Sequence, residues 1–94
     1  MAYSLDFTSR ADRELDELPF DLQGRVLSRL ARIMAQPRGP RANKLEGYVD
    51  VWAIRTGDYR AVYTIDDSAG MILVEAVGHR REVYRRLRRI PHLR

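Results

Sequence analysis

The 94-residue chain predicts an α/β (α+β) fold in the order β-α-α-β-β-β-α. The expected architecture is an antiparallel meander sheet with two helices on one face and a short C-terminal helix. Three observations carry that expectation. Residues 51–56 and 59–65 are runs rich in β-branched and aromatic side chains, joined by Gly57-Asp58, and glycine at the first central position of a two-residue loop suits a type II′ hairpin turn. Upstream of them, apolar residues recur at helical spacing; downstream, residues 71–77 are apolar apart from Glu75. Helices placed between a first strand and a three-strand meander most simply cover one face of the sheet.

Each element has its own justification. Residues 2–7 alternate loosely, Tyr3, Leu5 and Phe7 against Ser4 and Asp6, and read as the first strand. Thr8 or Ser9 can cap the next helix, in which Ala11, Leu15 and Leu18 fall at i, i+4 and i+7. Pro19 interrupts it, and Asp21 is placed to cap a second helix whose stripe is Leu22, Val26, Leu27, Leu30, Ile33 and Met34. Gly24 on that helix predicts a close helix–helix approach, an αα-hairpin. Residues 36–40, QPRGP, end the helix as a loop, and residues 43–47 lead into the central hairpin.

A two-residue loop sets the hairpin register, with Thr56 opposite Tyr59, Arg55 opposite Arg60, Ile54 opposite Ala61 and Trp52 opposite Tyr63. Trp52, Ile54, Tyr59, Ala61 and Tyr63 then share a core face. Val51, Ala53, Arg55, Arg60 and Val62 share the other, expected to stay partly open. Across the turn at 66–70, simple pairing puts Ile72 and Val74 on the open face and Glu75 in the core, so a bulge or another register is expected. Residues 80–90 read as a short helix with Val83, Leu87 and Ile90 on one side; Pro91 stops it, and residues 92–94 form a tail.

Composition narrows the function classes. The length suits one domain spanning 1–94. No apolar run approaches the roughly 18 residues of a membrane span, and the start, MAYSLDFTSR, is not a signal peptide. Without cysteine there is no disulfide framework, thiol chemistry or sulfur-based zinc site. A cytoplasmic protein without membrane contact is expected. The net charge is +4, and residues 51–94 hold all of that excess. Of the 17 basic residues only Lys44 is lysine, and arginine forks match phosphate oxygens better than lysine point charges do. A basic half on a small domain suggests nucleic acid or an acidic protein as partner.

Three constellations can carry chemistry. Like charges directly opposite on a sheet are destabilising, so the Arg55/Arg60 pair is either an anion holder or two solvated heads splayed apart. Arg80, just past the last strand, is placed to join them. Three such groups can stabilise a phosphate as its charge rises or position an RNA backbone without chemistry. In the second constellation, Tyr84 stands one helical turn after Arg80, suited to proton transfer, stacking or packing, and His79 is a proton carrier or a structural strand-end residue. The third is the run Arg81, Arg85, Arg86, Arg88 and Arg89, which is either a solvated helix face or a salt-sensitive grip on RNA phosphates. His79 and His92 lack carboxylates at ligand spacing, so no metal site and no cofactor are expected.

The ordered segments MAYSLDF, ELDELP, ANKLEG, GDYRAVY and VGHRREVY resemble the RelE toxins of the RelE/ParE type II toxin–antitoxin superfamily over nearly the whole chain. The resemblance implies a microbial-RNase-like fold and a ribosome-dependent endoribonuclease that cuts messenger RNA in the A site by 2′-hydroxyl attack on the adjacent phosphate. It maps the family's hairpin cations onto Arg55 and Arg60, the arginine after the last strand onto Arg80 and the C-terminal tyrosine onto Tyr84. It also implies the ribosome and a RelB-like antitoxin as partners, with the toxin monomeric alone and hetero-oligomeric with its antitoxin. Some members carry lysine at the position of Ala53. Arginine is a poor general base, so Lys44, His79 and Tyr84 stand in for proton transfer. A ParE-like gyrase inhibitor and a non-catalytic basic binding domain are the alternatives.

Overall fold

The structure, a computed structural model, describes residues 2–93; of the expected tail, Arg94 lies outside the described residues. The strands are β1 (Ser4–Phe7), β2 (Asn43–Lys44), β3 (Val51–Thr56), β4 (Tyr59–Asp66) and β5 (Met71–His79). The helices are α1 (Ser9–Asp16), α2 (Phe20–Ile33) and α3 (Arg80–Leu87), with a 3₁₀ turn over Pro91–Leu93. One sheet runs β1-β5-β4-β3-β2. The expected meander is β3-β4-β5, and it is extended at both edges. β1 pairs parallel to β5, Ser4 facing Met71 and Phe7 facing Val74, and β2, part of the expected lead-in, pairs antiparallel to β3. The sheet is therefore mixed rather than wholly antiparallel. Its helices carry the chain to the far edge, so the meander works back until its last strand lies beside β1.

The hairpin has the expected register, from Thr56 opposite Tyr59 to Trp52 opposite Tyr63. Gly57 sits at φ 59°, the left-handed conformation that a II′ turn requires at its first central residue. The expected bulge is present as well. Val62 pairs with Ala76 but Tyr63 pairs with Val74, which leaves Glu75 as the extra residue. Strict alternation would put Ile72, Val74 and Ala76 on one face. The bulge instead lets Ile72, Val74 and Val77 join Ile54, Ala61 and Tyr63 in the core under α1 and α2, while Ala76 turns to the other side.

That other side is less open than the sequence suggests. Val51, Ala53, Val62 and Ala76 form a second core with Val83 and Leu87 of α3 and Leu93 of the 3₁₀ turn. α3 ends at Leu87, short of the expected Ile90, and Pro91 opens the 3₁₀ turn. Only the hairpin end of this face, with Arg55 exposed and Arg60 half-buried, stays accessible. Among the described residues no helix is long and apolar enough to cross a membrane.

Thr8 caps α1, its hydroxyl accepting from the Ala11 amide at 3.1 Å. α2 begins differently: Pro19 occupies the cap position with no side-chain cap bond, and Asp21 lies in the first turn instead. There its charge complements the helix dipole. Gly24 does not mark a close helix approach, since a Cβ there would meet nothing within 4 Å. The helices pack side by side on the sheet, α1 against β5 and α2 against β3. Their joint is made by Gln23, whose Nε2 donates to the carbonyls of Leu18 at 2.8 Å and Asp16 at 3.1 Å, satisfying orphan carbonyls at the end of α1.

Arg38 ties the loop after α2 to two distant turns. Its guanidinium makes a bidentate pair with Asp50, at 2.8 and 2.6 Å, and reaches Asp67 at 3.1 Å. Trp52 Nε1 donates to Asp50 at 2.8 Å, and the Tyr3 hydroxyl donates to Asp67 at 2.7 Å. Asp50 has φ 56°, a conformation that costs most residues energy but that aspartate and asparagine tolerate. The hydrogen bond from Arg38, helped by that from Trp52, holds the Asp50 carboxyl at about 2. A depressed carboxyl contributes stability in full above its unfolded value and loses it as pH falls through the folded one. Asp50→Asn, which preserves the backbone preference, is expected to cost about 1 kcal/mol or less at neutral pH, because the pair is exposed. It should also flatten the acid limb of stability between about pH 4 and pH 2. Urea unfolding across that range checks this; wild type and variant losing stability in parallel would count against it.

Candidate active site

The hairpin, β2 and α3 enclose a groove of about 290 Å³. Arg55 and Arg60 stand on adjacent strands as a directly opposed pair, and both line it together with Tyr84. Arg60 is anchored: its Nη1 donates to the carbonyls of Gly57 at 2.9 Å and Tyr59 at 3.0 Å. One edge of the fork is thereby spent on the turn, fixing where the rest of the guanidinium points. Opposite Arg60 on the next strand is Gly78, where a Cβ would meet nothing within 4 Å, so space remains beside the cation. Ala53, buried and packed in the second core, contributes a methyl to the groove wall.

The remaining sequence candidates divide. Lys44 lines the groove, its ammonium donating to the Tyr48 carbonyl at 3.4 Å. His79 does not line it. It is the N-cap of α3, its Nδ1 accepting from the Arg81 amide at 3.3 Å, and its ring meets Tyr59 edge-on at 5.6 Å. Arg80 also lies outside the lining. Its amide donates to the Asp58 carbonyl at 2.7 Å, and its Nε is 3.9 Å from the Asp58 carboxylate at the hairpin tip. Its side chain is half exposed, and a pair of that length in water is weak.

The C-terminal arginines are not equivalent. Arg81, Arg85, Arg88 and Arg89 are exposed. Arg86 points inward, with Nε and Nη2 at 2.6 and 2.9 Å from Glu14 of α1 and Nη2 at 2.5 Å from the carbonyl of the bulged Glu75. Glu14 Oε1 also accepts from the Val77 amide at 3.1 Å. The Glu75 side chain is buried and accepts from Thr64 Oγ1 at 2.9 Å, with His92 Nε2 at 3.1 Å. Arg86 and its partners thus fasten α3, the element that carries Tyr84, to α1 and β5. The sequence held a signal for this: Arg86 falls three residues after Val83 and four before Ile90, on the apolar side of the helix.

Sequence reasoning missed the carboxylate of the groove. Glu46, in the segment read as a lead-in, is the one carboxylate among the described residues lining the groove, close in sequence to Lys44 and Tyr48 that line it too. Its signal was an acidic residue between a lysine and Gly47, which turns the chain at φ 83°, just before the hairpin. Among the described residues no group of three or more His, Asp or Glu side chains is close enough to hold a metal ion.

The profile of the ParE toxin of the parDE type II toxin–antitoxin system matches residues 5–84. The chain is 38% identical over 88 residues to the mRNA interferase toxin RelE of Escherichia coli K12, covering 89% of this chain and 92% of that protein. An arginine-to-alanine double mutant of E. coli RelE in the free state superposes with a TM-score of 0.82 at 34% identity, covering 96% of this chain and 99% of the other. The toxin in the intact E. coli RelBE toxin–antitoxin complex superposes at 0.76 with 32% identity, covering 83% and 96%.

The Glu14–Arg86 pair is largely shielded, with side chains 18% and 15% exposed. Arg86→Ala is expected to lower unfolding stability by about 2–3 kcal/mol, because it strands a carboxylate and a backbone carbonyl. Arg85→Ala should stay within about 0.5 kcal/mol of wild type. Denaturant melts separate the two; equal effects would contradict the division of labour.

Proposed function

The chain belongs to the ParE toxin family of type II toxin–antitoxin systems, and from that premise we propose that it is a RelE-type mRNA interferase, a ribosome-dependent endoribonuclease acting as one toxin domain. The observation that carries this reading is that Arg55, Arg60 and Tyr84, from two strands and a helix, line one groove. In the reaction, the 2′-hydroxyl oxygen bonds to the adjacent phosphorus and the bond from phosphorus to the 5′-oxygen breaks. Arg55 and Arg60 stabilise the charge that builds on the non-bridging oxygens. Arg80 swings from its weak pair with Asp58 to complete the clamp. Tyr84 lies over the reacting nucleotide, where a phenol can stack on a base and hand a proton to the departing 5′-oxygen.

The 2′-hydroxyl proton needs an acceptor. Arginine holds its proton throughout the accessible pH range, lysine and tyrosine side chains are ordinarily protonated near neutrality, and His79 is occupied in capping α3. Glu46 is the groove-lining group whose class is ordinarily free to accept, and we assign it that role. The partners on this reading are the programmed ribosome and a RelB-like antitoxin, which forms a hetero-oligomer with a toxin that is otherwise monomeric. Translating ribosomes as substrate place the protein in the cytoplasm.

The gyrase reading has one observation in its favour, the ParE name of the matching family profile. Inhibition of supercoiling without new messenger ends would establish it. On the interferase reading, primer extension on messenger bound to ribosomes shows A-site cuts with wild type. The Arg60→Ala, Arg80→Ala double variant should cut at least about 10³-fold more slowly. Glu46→Gln provides a test by sign: as a mere negative charge among cations, its loss would tighten RNA binding and speed cutting. As proton acceptor, its loss slows cutting about 10²-fold while binding holds or improves. Faster cutting by Glu46→Gln would remove it from the mechanism.

A further inference from the structure

Beside the cleavage groove, on the α2 side of the sheet edge, lies a second hollow of about 290 Å³. It is lined by Arg29 and Arg32 of α2, Arg41, Asn43 and Arg55, with Ile54 beneath, and by no carboxylate. Arg29 and Arg32 stand three apart on one helix face. Within the described residues, Arg10, Arg38, Arg80 and Arg86 each pair with a carboxylate, whereas Arg29, Arg32, Arg41 and Arg55 have no such partner. The contrast with the groove between α1 and α3 is direct: there Glu14 and Glu82 offset the arginines. Four exposed guanidinium groups around one hollow repel one another, and a bound polyanion relieves that cost.

We propose that this hollow is a second RNA-binding site, which holds phosphodiester groups of RNA beyond the reacting phosphate. It rests on the interferase reading and extends it. Continuity decides for RNA over an acidic protein segment. Arg55 and Asn43 line both grooves, and Arg32 and Arg41 continue into a further hollow by Gln36 and Pro40 that also lacks a carboxylate. One backbone can follow this track from the reacting phosphate outward, with guanidinium forks taking successive phosphates. The phosphates belong to the messenger or to ribosomal RNA, and the chemistry of recognition is the same.

The test measures binding and single-turnover cutting of the full chain on messenger-programmed ribosomes across a salt series. Arg29→Ala with Arg32→Ala should weaken binding about tenfold at 0.1 M salt and make log affinity against log salt shallower by about 1.4, from roughly 0.7 per contact to single-stranded nucleic acid. The loss should fall on the half-saturating concentration more than on the maximal single-turnover rate. Arg29→Lys with Arg32→Lys, which preserves charge, should recover most of the slope, and matching melts for all variants exclude misfolding. On a messenger truncated just after the A-site codon, disappearance of the penalty identifies messenger phosphates downstream of the cut, and persistence identifies ribosomal RNA or upstream messenger. Unchanged affinity and slope in the alanine variant, or weakening confined to antitoxin binding, would overturn the proposal. Wild type bound to ribosomes with uncut messenger would instead overturn the interferase reading and leave the binding comparison interpretable.

Discussion

The bulge at Glu75 is the constraint on which the rest of the structure depends. One extra residue in β5 lets the same strand serve two cores of opposite facing, with Ile72, Val74 and Val77 toward α1 and α2 and Ala76 toward α3. It also brings the Glu75 carbonyl to Arg86 and its carboxylate to Thr64 and His92. That local break in alternation supplies α3 with part of its apolar seat, Ala76, and part of its polar fastening, the Glu75 carbonyl. α3 is in turn the wall that presents Tyr84 to the groove. The shape of the candidate site is thus a product of core packing several residues away from it.

Much of this was legible in the chain, and the parts that were not share a physical cause. The register of β3 and β4 could be read because a two-residue loop leaves few ways to pair the flanking strands. The bulge could be inferred because the apolar pattern of β5 conflicted with that register. The parallel pairing of β1 with β5 joins residues more than sixty positions apart, and no local pattern encodes such a partner. The apolar seat of α3 was visible in Val83 and Leu87, but the sheet face it covers was not, so that face read as open. Gly24 suggested a tight helix contact and Asp21 a cap, each from a residue type whose local preference tertiary packing overrode. At the site, Arg55, Arg60 and Tyr84 came from the hairpin pattern and the resemblance. Glu46 was hidden because a loop residue's neighbours are set by where the loop folds.

The arginines show how one residue type is divided between architecture and recognition. Arg38 and Arg86 are enclosed by carboxylates and carbonyls and act as fixed struts between distant segments. Arg29, Arg32, Arg41 and Arg55 lack such partners and line concave surface. The distinction cannot be drawn from charge counts. It depends on whether the chain delivers an acceptor to the guanidinium, as the turns holding Asp50 and Asp67 do for Arg38. Each unpaired group leaves its fork available to a planar or tetrahedral anion.

The pairing of β1 with β5 bears on how such a protein is made. β1 is synthesised before β2, β3, β4 and β5, yet its hydrogen-bonding partner is β5, and α3, which closes the groove, follows that strand directly. Contacts of such large sequence separation form late. A growing chain therefore has an unpaired β1 and no Tyr84 wall until β5 and α3 have emerged. The groove thus stays incomplete until α3 is free to pack, and the topology postpones its assembly to the stage at which β1 and β5 are both available.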